Sequence, residues 1–285
     1  MPDLAFLGLG LIGRGMVEAA AGRGLSVCAW NRSPAKAEGL DTLGVTVCPS
    51  AAEAVAGAPR VHLALHDDAA VDAVLAAITP ALRPGAVVVD HTTTTVAGTA
   101  ARAARCEALG VAFLHAPIFM SPANARAARG IMMAAGPKAR FEAVQPALAA
   151  MTGDLWYLGE RPDLAAVYKL CGNAMLFAIA GGLSDVFALA GAAGVPAPEI
   201  ITLFDRFNAG MGIQVRGKKM AADDFSPSFL LQTAHKDLRA MVELAGPEVL
   251  CLLPGVGERM EAALRDGHAQ DDYGIIGAPA YTGRG

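Results

Sequence analysis

At 285 residues, 54% of them apolar and 18% charged, the chain is long and hydrophobic enough for one or two globular domains with a large core. A net charge of −4, with no basic stripe, speaks against nucleic acid as a partner. Five scattered cysteines without CxxC spacing and six histidines leave no disulfide frame and no metal motif; they fit reduced thiols in a cytoplasmic protein, and no signal peptide is expected.

The first strand is expected over 3–8, and its end runs directly into Gly8-Leu9-Gly10-Leu11-Ile12-Gly13. A helical stretch follows to Arg23, and a second strand at 25–30 closes a unit of about thirty residues, the context that a dinucleotide fingerprint requires. Gly8 permits the tight turn, Gly10 lets backbone approach a pyrophosphate, and Gly13 lets helix pack on strand. Leu11 and Ile12 open the helix, whose N-terminus offers N–H groups and a positive dipole end to phosphate. Where NAD sites usually carry an acidic residue, this chain has Asn31-Arg32-Ser33. A carboxylate there would repel a 2′-phosphate; guanidinium, hydroxyl and amide donors suit it, so the cofactor expected is NADP(H).

Further strands are expected at 45–48, 60–65, 86–91, 111–115, 131–135 and 155–158, alternating with helices at 50–57, 68–78, 95–109 and 138–150. That alternation is the pattern of a doubly wound, mostly parallel sheet. After Pro162 strands give way to helices: a long one over 163–194, then 197–208, 212–221, 228–244 and 248–266. The fold class expected is an α/β Rossmann domain over 1–160 followed by an all-α domain over 161–285, joined by a long interdomain helix. Residues 174–195 are apolar enough to pass for a membrane span, but Ser184 and Asp185 interrupt them. A helix buried at a domain or subunit interface is expected instead, giving a homodimer or an assembly of dimers and no membrane association. The final Tyr281–Gly285 segment reads as a frayed end.

Lys169 is the catalytic candidate. On a helix its face carries Ala165, Ala166, Gly172, Asn173 and Leu176, small or apolar neighbours that leave a hollow, with the Asn173 amide one turn away. A lysine snorkelling from an interface helix is the plain alternative. Beside a hydride donor, Lys169 can supply the proton that carbonyl reduction needs.

Several ordered motifs then agree with one family. The fingerprint followed by Met16, the Trp30-Asn31-Arg32-Ser33 stretch, Asp90-His91-Thr92-Thr93, Ala116-Pro117, the Lys169/Asn173 pair, and Phe225 to Phe229 leading to Lys236-Asp237-Leu238 span nearly the whole chain. The sequence resembles the β-hydroxyacid dehydrogenases, which include 3-hydroxyisobutyrate dehydrogenases and glyoxylate/succinic semialdehyde reductases and are related to imine reductases. The resemblance implies that Leu65, His66, Thr93 and Lys236 join the cofactor site, with Lys236 closing over the cofactor from the helical domain. It implies that Lys169 protonates the carbonyl oxygen of a small substrate and that Asn173 anchors that substrate, with Thr92, Phe119, Met120 and Ser121 lining the same site.

The departures are specific. Phe119 and Met120 stand where the family loop has a serine and a glycine, His115 replaces an aspartate, and Val96 replaces a proline. The apolar loop favours a bulkier, less charged carbonyl or imine over a small hydroxy acid. The activity expected is NADPH-dependent reduction of an aldehyde, ketone or keto acid. The alternatives are an imine reductase acting on cyclic imines and a non-catalytic NADP-binding module.

Overall fold

The computed structural model describes residues 1–278; the Tyr281–Gly285 segment expected to fray lies outside the described residues. In chain order the first compact unit, Met1–Asn173, contains β1 (Leu4–Leu7), α1 (Leu11–Gly22), β2 (Val27–Trp30), β3 (Thr46–Val47), α2 (Ala51–Val55), β4 (Arg60–Leu63), α3 (Asp68–Ile78), β5 (Val87–Asp90), α4 (Val96–Ala108), β6 (Ala112–His115), β7 (Ile118–Phe119), α5 (Pro122–Arg126), β8 (Ile131–Ala135), α6 (Lys138–Ala149) and β9 (Asp154–Gly159). The start of α7 (Leu164–Ala192) completes it.

The strands form one sheet in the order β3-β2-β1-β4-β5-β6-β8-β7, with β9 also pairing β8. From β3 to β6 every pairing is parallel; β8 reverses direction against β6 and β7. The period of two along the strands explains why both faces are covered. Leu4 and Phe6 join Val87, Val89 and Leu114 in one buried layer against α1 and α6. Ala5 and Leu7 point the other way and join Val61, Leu63 and Val88 beneath α2 and α3. Four of the connecting helices start on side-chain caps: Ser50 accepts from Glu53 N–H, Asp67 from Ala70 N–H, Thr95 from Gly98 N–H and Ser121 from Asn124 N–H. Helix α1 starts at Gly10 with no side-chain cap.

The second unit begins at Ala174, within α7, and continues through α8 (Ala197–Ile200), α9 (Met211–Ala221), α10 (Leu231–Ala245) and α11 (Leu253–Arg265). Its core pairs the Leu231, Ala234 and Leu238 stripe of α10 with Met260 and Ala263 of α11 and with Ile275. Asp185, the acidic residue that interrupts the apolar helix, is buried, and its carboxylate accepts the backbone N–H groups of Cys251, Leu252 and Leu253 at the start of α11. Those three bonds hold its carboxyl below the usual carboxylate range despite burial.

Helix α7 is not covered by its own chain. Within the single chain its apolar residues face outwards, Phe177 at 73% exposure and Leu176 at 54%. The reason lies in its composition: apolar residues surround the whole circumference, so one chain's neighbours cannot cover them all. It is the one described helix long and apolar enough to cross a membrane by length and composition. The second unit departs from the expected helix at 197–208, where α8 is short and passes into a 3₁₀ stretch at Ile201–Asp205.

Candidate active site

The fingerprint loop is shaped by contacts that only glycine allows. Gly8 has φ +101°, and a Cβ on it would lie 2.2 Å from the Ala64 carbonyl oxygen at the end of β4. A Cβ at Gly13 would lie 2.1 Å from the Gly8 carbonyl oxygen. At Gly10 a Cβ would meet nothing within 4 Å: the space over that residue is open. The open backbone at Gly10, the uncapped start of α1 and the exposed Leu11 together fit a pyrophosphate laid on the helix N-terminus.

A cleft of about 680 Å³ runs beside the loop, and Gly10, Arg32, Ser33, Lys36, Leu65 and His66 are among its lining residues. Lys36 was missed in the sequence. It lies four residues past Arg32 in a 3₁₀ turn opened by Pro34, and adds a second cation to the same wall. Asn31 also lines the cleft, yet both ends of its amide are engaged with backbone. Its Oδ1 accepts from Leu9 N–H at 2.8 Å and its Nδ2 donates to the Ser33 carbonyl at 3.0 Å. Asn31 therefore fixes the geometry of two loops, while Arg32, Ser33 and Lys36 present the polar groups.

Thr93 is exposed beyond the end of β5, whereas Thr92 is buried. The Thr92 Oγ1 accepts from Leu65 N–H at 2.9 Å, so this side chain ties the loop after β4 to the loop after β5 instead of facing a substrate. Beneath these loops lies a buried polar spine. Arg60 Nε–H donates to His62 Nε2 at 2.8 Å, which leaves His62 Nδ1–H to donate to His91 Nε2 at 2.8 Å. His91 Nδ1–H then donates to the Ala116 carbonyl at 2.7 Å. Three side chains thus run in one donor direction, the two imidazoles stacked on Phe6, to the residue that opens the 116–121 loop. Burial holds His62 well below the usual histidine range and puts His91 at about 4, so both rings stay neutral near pH 7.

His115, which replaces the family's aspartate, donates from Nε2 to the Thr92 carbonyl at 3.1 Å, and burial lowers it to about 4. Nearby, Arg102 is fully buried, binds Asp68 at 2.9 Å and Asp72 at 2.8 Å, and faces the buried Asp90 at 4.0 Å. Burial raises the Asp90 carboxyl to about 6 against the pull of Thr92 and Arg102. Val96, in place of proline, simply opens α4.

Lys169 projects from the first turns of α7 towards β7. Its Nζ donates to the Ile118 carbonyl at 2.8 Å and sits 3.8 Å from the centroid of the Phe119 ring. It is half-buried and makes no ion pair among the described residues, and desolvation lowers its pKa from the ordinary lysine value. Asn173, also half-buried, follows one turn along the same helix. Phe119 packs with Met133, Ala135 and Ala165, and Met120 packs against the sheet's core. Ser121 caps α5 by accepting from Asn124 N–H, so its hydroxyl is committed to local structure. Lys236 lies in α10, 74% exposed, with Nζ 2.9 Å from Asp237. No group of three or more potential metal ligands occurs among the described residues.

Comparison with known proteins agrees with this architecture. Residues 3–159 match the family model of the NAD binding domain of 6-phosphogluconate dehydrogenase, more than half of the chain. Glyoxylate/succinic semialdehyde reductase 1 of Arabidopsis thaliana is 26% identical, with 91% of each chain covered. A Mycobacterium bovis protein named "Probable 3-hydroxyisobutyrate dehydrogenase" is 28% identical over 97% of both chains. The structure of an imine reductase from Myxococcus stipitatus in complex with NADP+ superposes with a TM-score of 0.86 at 19% identity, covering 97% of this chain and 99% of that one, a likeness of fold. The chain belongs to the family defined by that NAD-binding domain. Its first unit is an NAD(P)-binding domain, and its curated relatives are dehydrogenases and reductases acting on hydroxyl or carbonyl groups.

Proposed function

We propose that the chain is an NADPH-dependent reductase of an aldehyde, ketone or keto acid, with Lys169 as the proton donor. The observation that carries this reading is the setting of the Lys169 ammonium: half-buried, without a counter-ion among the described residues, and anchored to the Ile118 carbonyl. An ammonium so placed keeps its proton less tightly than a surface lysine, which suits a general acid.

Gly10 and the start of α1 would hold the cofactor's pyrophosphate, Arg32, Ser33 and Lys36 its 2′-phosphate, and Leu65, His66 and Thr93 the path towards the nicotinamide. Lys236 would close over it. When bound, the nicotinamide supplies hydride to the carbonyl carbon. Lys169 moves its proton to the carbonyl oxygen, so that C=O becomes CH–OH, and the neutral amine is reprotonated from solvent. Through that exchange the Ile118 carbonyl keeps Nζ in place. Asn173, one turn away, orients the substrate, and Phe119 and Met120 exclude water from it. A second copy of the chain, meeting the apolar face of α7, completes the assembly in the cytoplasm.

Lys169→Ala is the test. Turnover should fall by about a hundred- to ten-thousand-fold with NADPH affinity unchanged. A stable variant that still reduces a good carbonyl substrate at near-normal rate would exclude Lys169 as the acid. A second reading, imine reduction, is favoured by the apolar Phe119 and Met120 and by the fold shared with imine reductases. If Lys169→Ala loses carbonyl reduction but keeps imine reduction, that reading takes precedence, because a protonated iminium needs no acid from the protein.

A further inference from the structure

Phe119 has a relation to Lys169 that its place in an apolar loop does not require. The ring lies 3.8 Å from Nζ, and the neighbouring residue's carbonyl, Ile118, takes one of the three ammonium N–H bonds. Position 172, one turn of α7 past Lys169, is a glycine whose Cβ, if present, would lie 2.3 Å from the Phe119 Cζ. The gap in α7 is therefore filled by the ring. From behind, Met133, Ala135 and Ala165 hold it. Gly130 approaches the same strand closely: a Cβ there would lie 2.5 Å from the Phe119 carbonyl oxygen.

We infer that Phe119 is a positioning residue for Lys169: its ring, seated in the notch at Gly172, orients the ammonium so that one N–H faces the Ile118 carbonyl, one faces the ring, and the third is left for the substrate. This deepens the reading of Lys169 as proton donor and rests on it only for its catalytic consequence. An aromatic face stabilises the cation while excluding water, so it opposes the effect of burial. Nothing charged competes for the role, since Lys169 pairs with no acidic group among the described residues and the side chains packed on Phe119 from β8 and α7 are apolar.

The experiment titrates Lys169 directly, by NMR of the full-length protein labelled with ¹³Cε-lysine, with the resonance assigned by its loss in Lys169→Met. Phe119→Leu and Phe119→Met keep apolar bulk and remove the aromatic face. Each should lower the Lys169 midpoint by about 0.5 to 1.5 pH units, the size of a partly desolvated cation–π contact. Phe119→Tyr should keep the original midpoint. Unchanged midpoints in both the leucine and the methionine variants would overturn the inference. The same variants' kcat against pH then separates the two claims. A basic limb that moves with the NMR midpoint supports both. A midpoint that moves while the limb stays leaves Phe119 in its role and removes Lys169 as the acid.

Discussion

The two ends of the sheet are built by different means. At the β2-β1-β4 end the site is mostly backbone: glycines bring main chain to within a Cβ's width of main chain, and the open space over Gly10 is defined by what no side chain occupies. At the β6-β8-β7 end the site is side chain upon side chain, with Phe119 on Lys169, Met120 on the core, and a polar spine beneath ending at Ala116. A backbone site tolerates little change, and its sequence pattern is stereotyped. A side-chain site can be refitted residue by residue.

Five changes test that contrast. The largest effect should come from Arg102→Met. Removing one partner from a buried ionic cluster costs about 3–5 kcal/mol, because Asp90 would be left buried opposite an apolar side chain. We expect Tm to fall by roughly 10 °C, read by differential scanning calorimetry. NADPH binding measured below the transition should change less than turnover, since the Thr92–Thr95 loop rests on this cluster.

Acid comes next. Each histidine held near 4 leaves the unfolded chain binding more protons than the folded one, so its contribution is complete above about pH 6.5 and is lost as pH falls towards 4, about 3 kcal/mol per ring. Asp90 acts with the opposite sign: raised to about 6, it favours the folded state as pH falls below that value. With His62 also lowered, three rings oppose one carboxyl, and urea midpoints should decline from pH 7 to pH 4.5. A flat profile would mean that the spine is not protonated on unfolding.

A smaller effect is expected of Arg32→Asp, which should shift the NADPH-to-NADH preference by about ten- to a hundred-fold towards NADH, measured by fluorescence titration. Lys36→Glu should shift it in the same direction. Smallest is Gly172→Ala. Its Cβ pushes on the tip of the Phe119 ring, and a ring can yield, so turnover should fall by about three- to tenfold with the NADPH dissociation constant unchanged. A parallel loss of cofactor affinity would show that the two ends are not separable.

The same contrast governs what could be read from the sequence. Eight of the nine strands and the helices between them follow from period-two and period-3.6 patterns and turn residues, because local sequence dictates them. Strand β7 has two residues and exists only through its antiparallel pairing with Met132 and Ile131, a long-range fact with no local signature. Helix α5 is a five-residue turn whose cap, Ser121, reads equally well as a loop hydroxyl. Among site residues, the fingerprint glycines are legible: Gly8 and Gly13 answer a steric need within the chain, and Gly10 leaves its backbone open. Lys36 carried a signal, a second cation after Arg32, that a proline between them disguised. The Ile118 carbonyl carried none: a backbone acceptor is the same in every residue, and only folding selects it. Thr92 was misplaced for a related reason, since alternation along an irregular loop does not reveal which of Thr92 and Thr93 turns inward.

Asn31 joins the two loops that a dinucleotide would straddle, one amide end on Leu9 and the other on Ser33. Under the proposed function it would act as a strut between the cofactor's middle and its adenosine end. Engineers who wish to exchange one nicotinamide cofactor for the other can therefore treat Arg32 and Lys36 as free variables and Asn31 as a fixed one. Replacing the strut would slacken the grip on the portion common to both cofactors and weaken NADH and NADPH alike, whatever charge is written beside it.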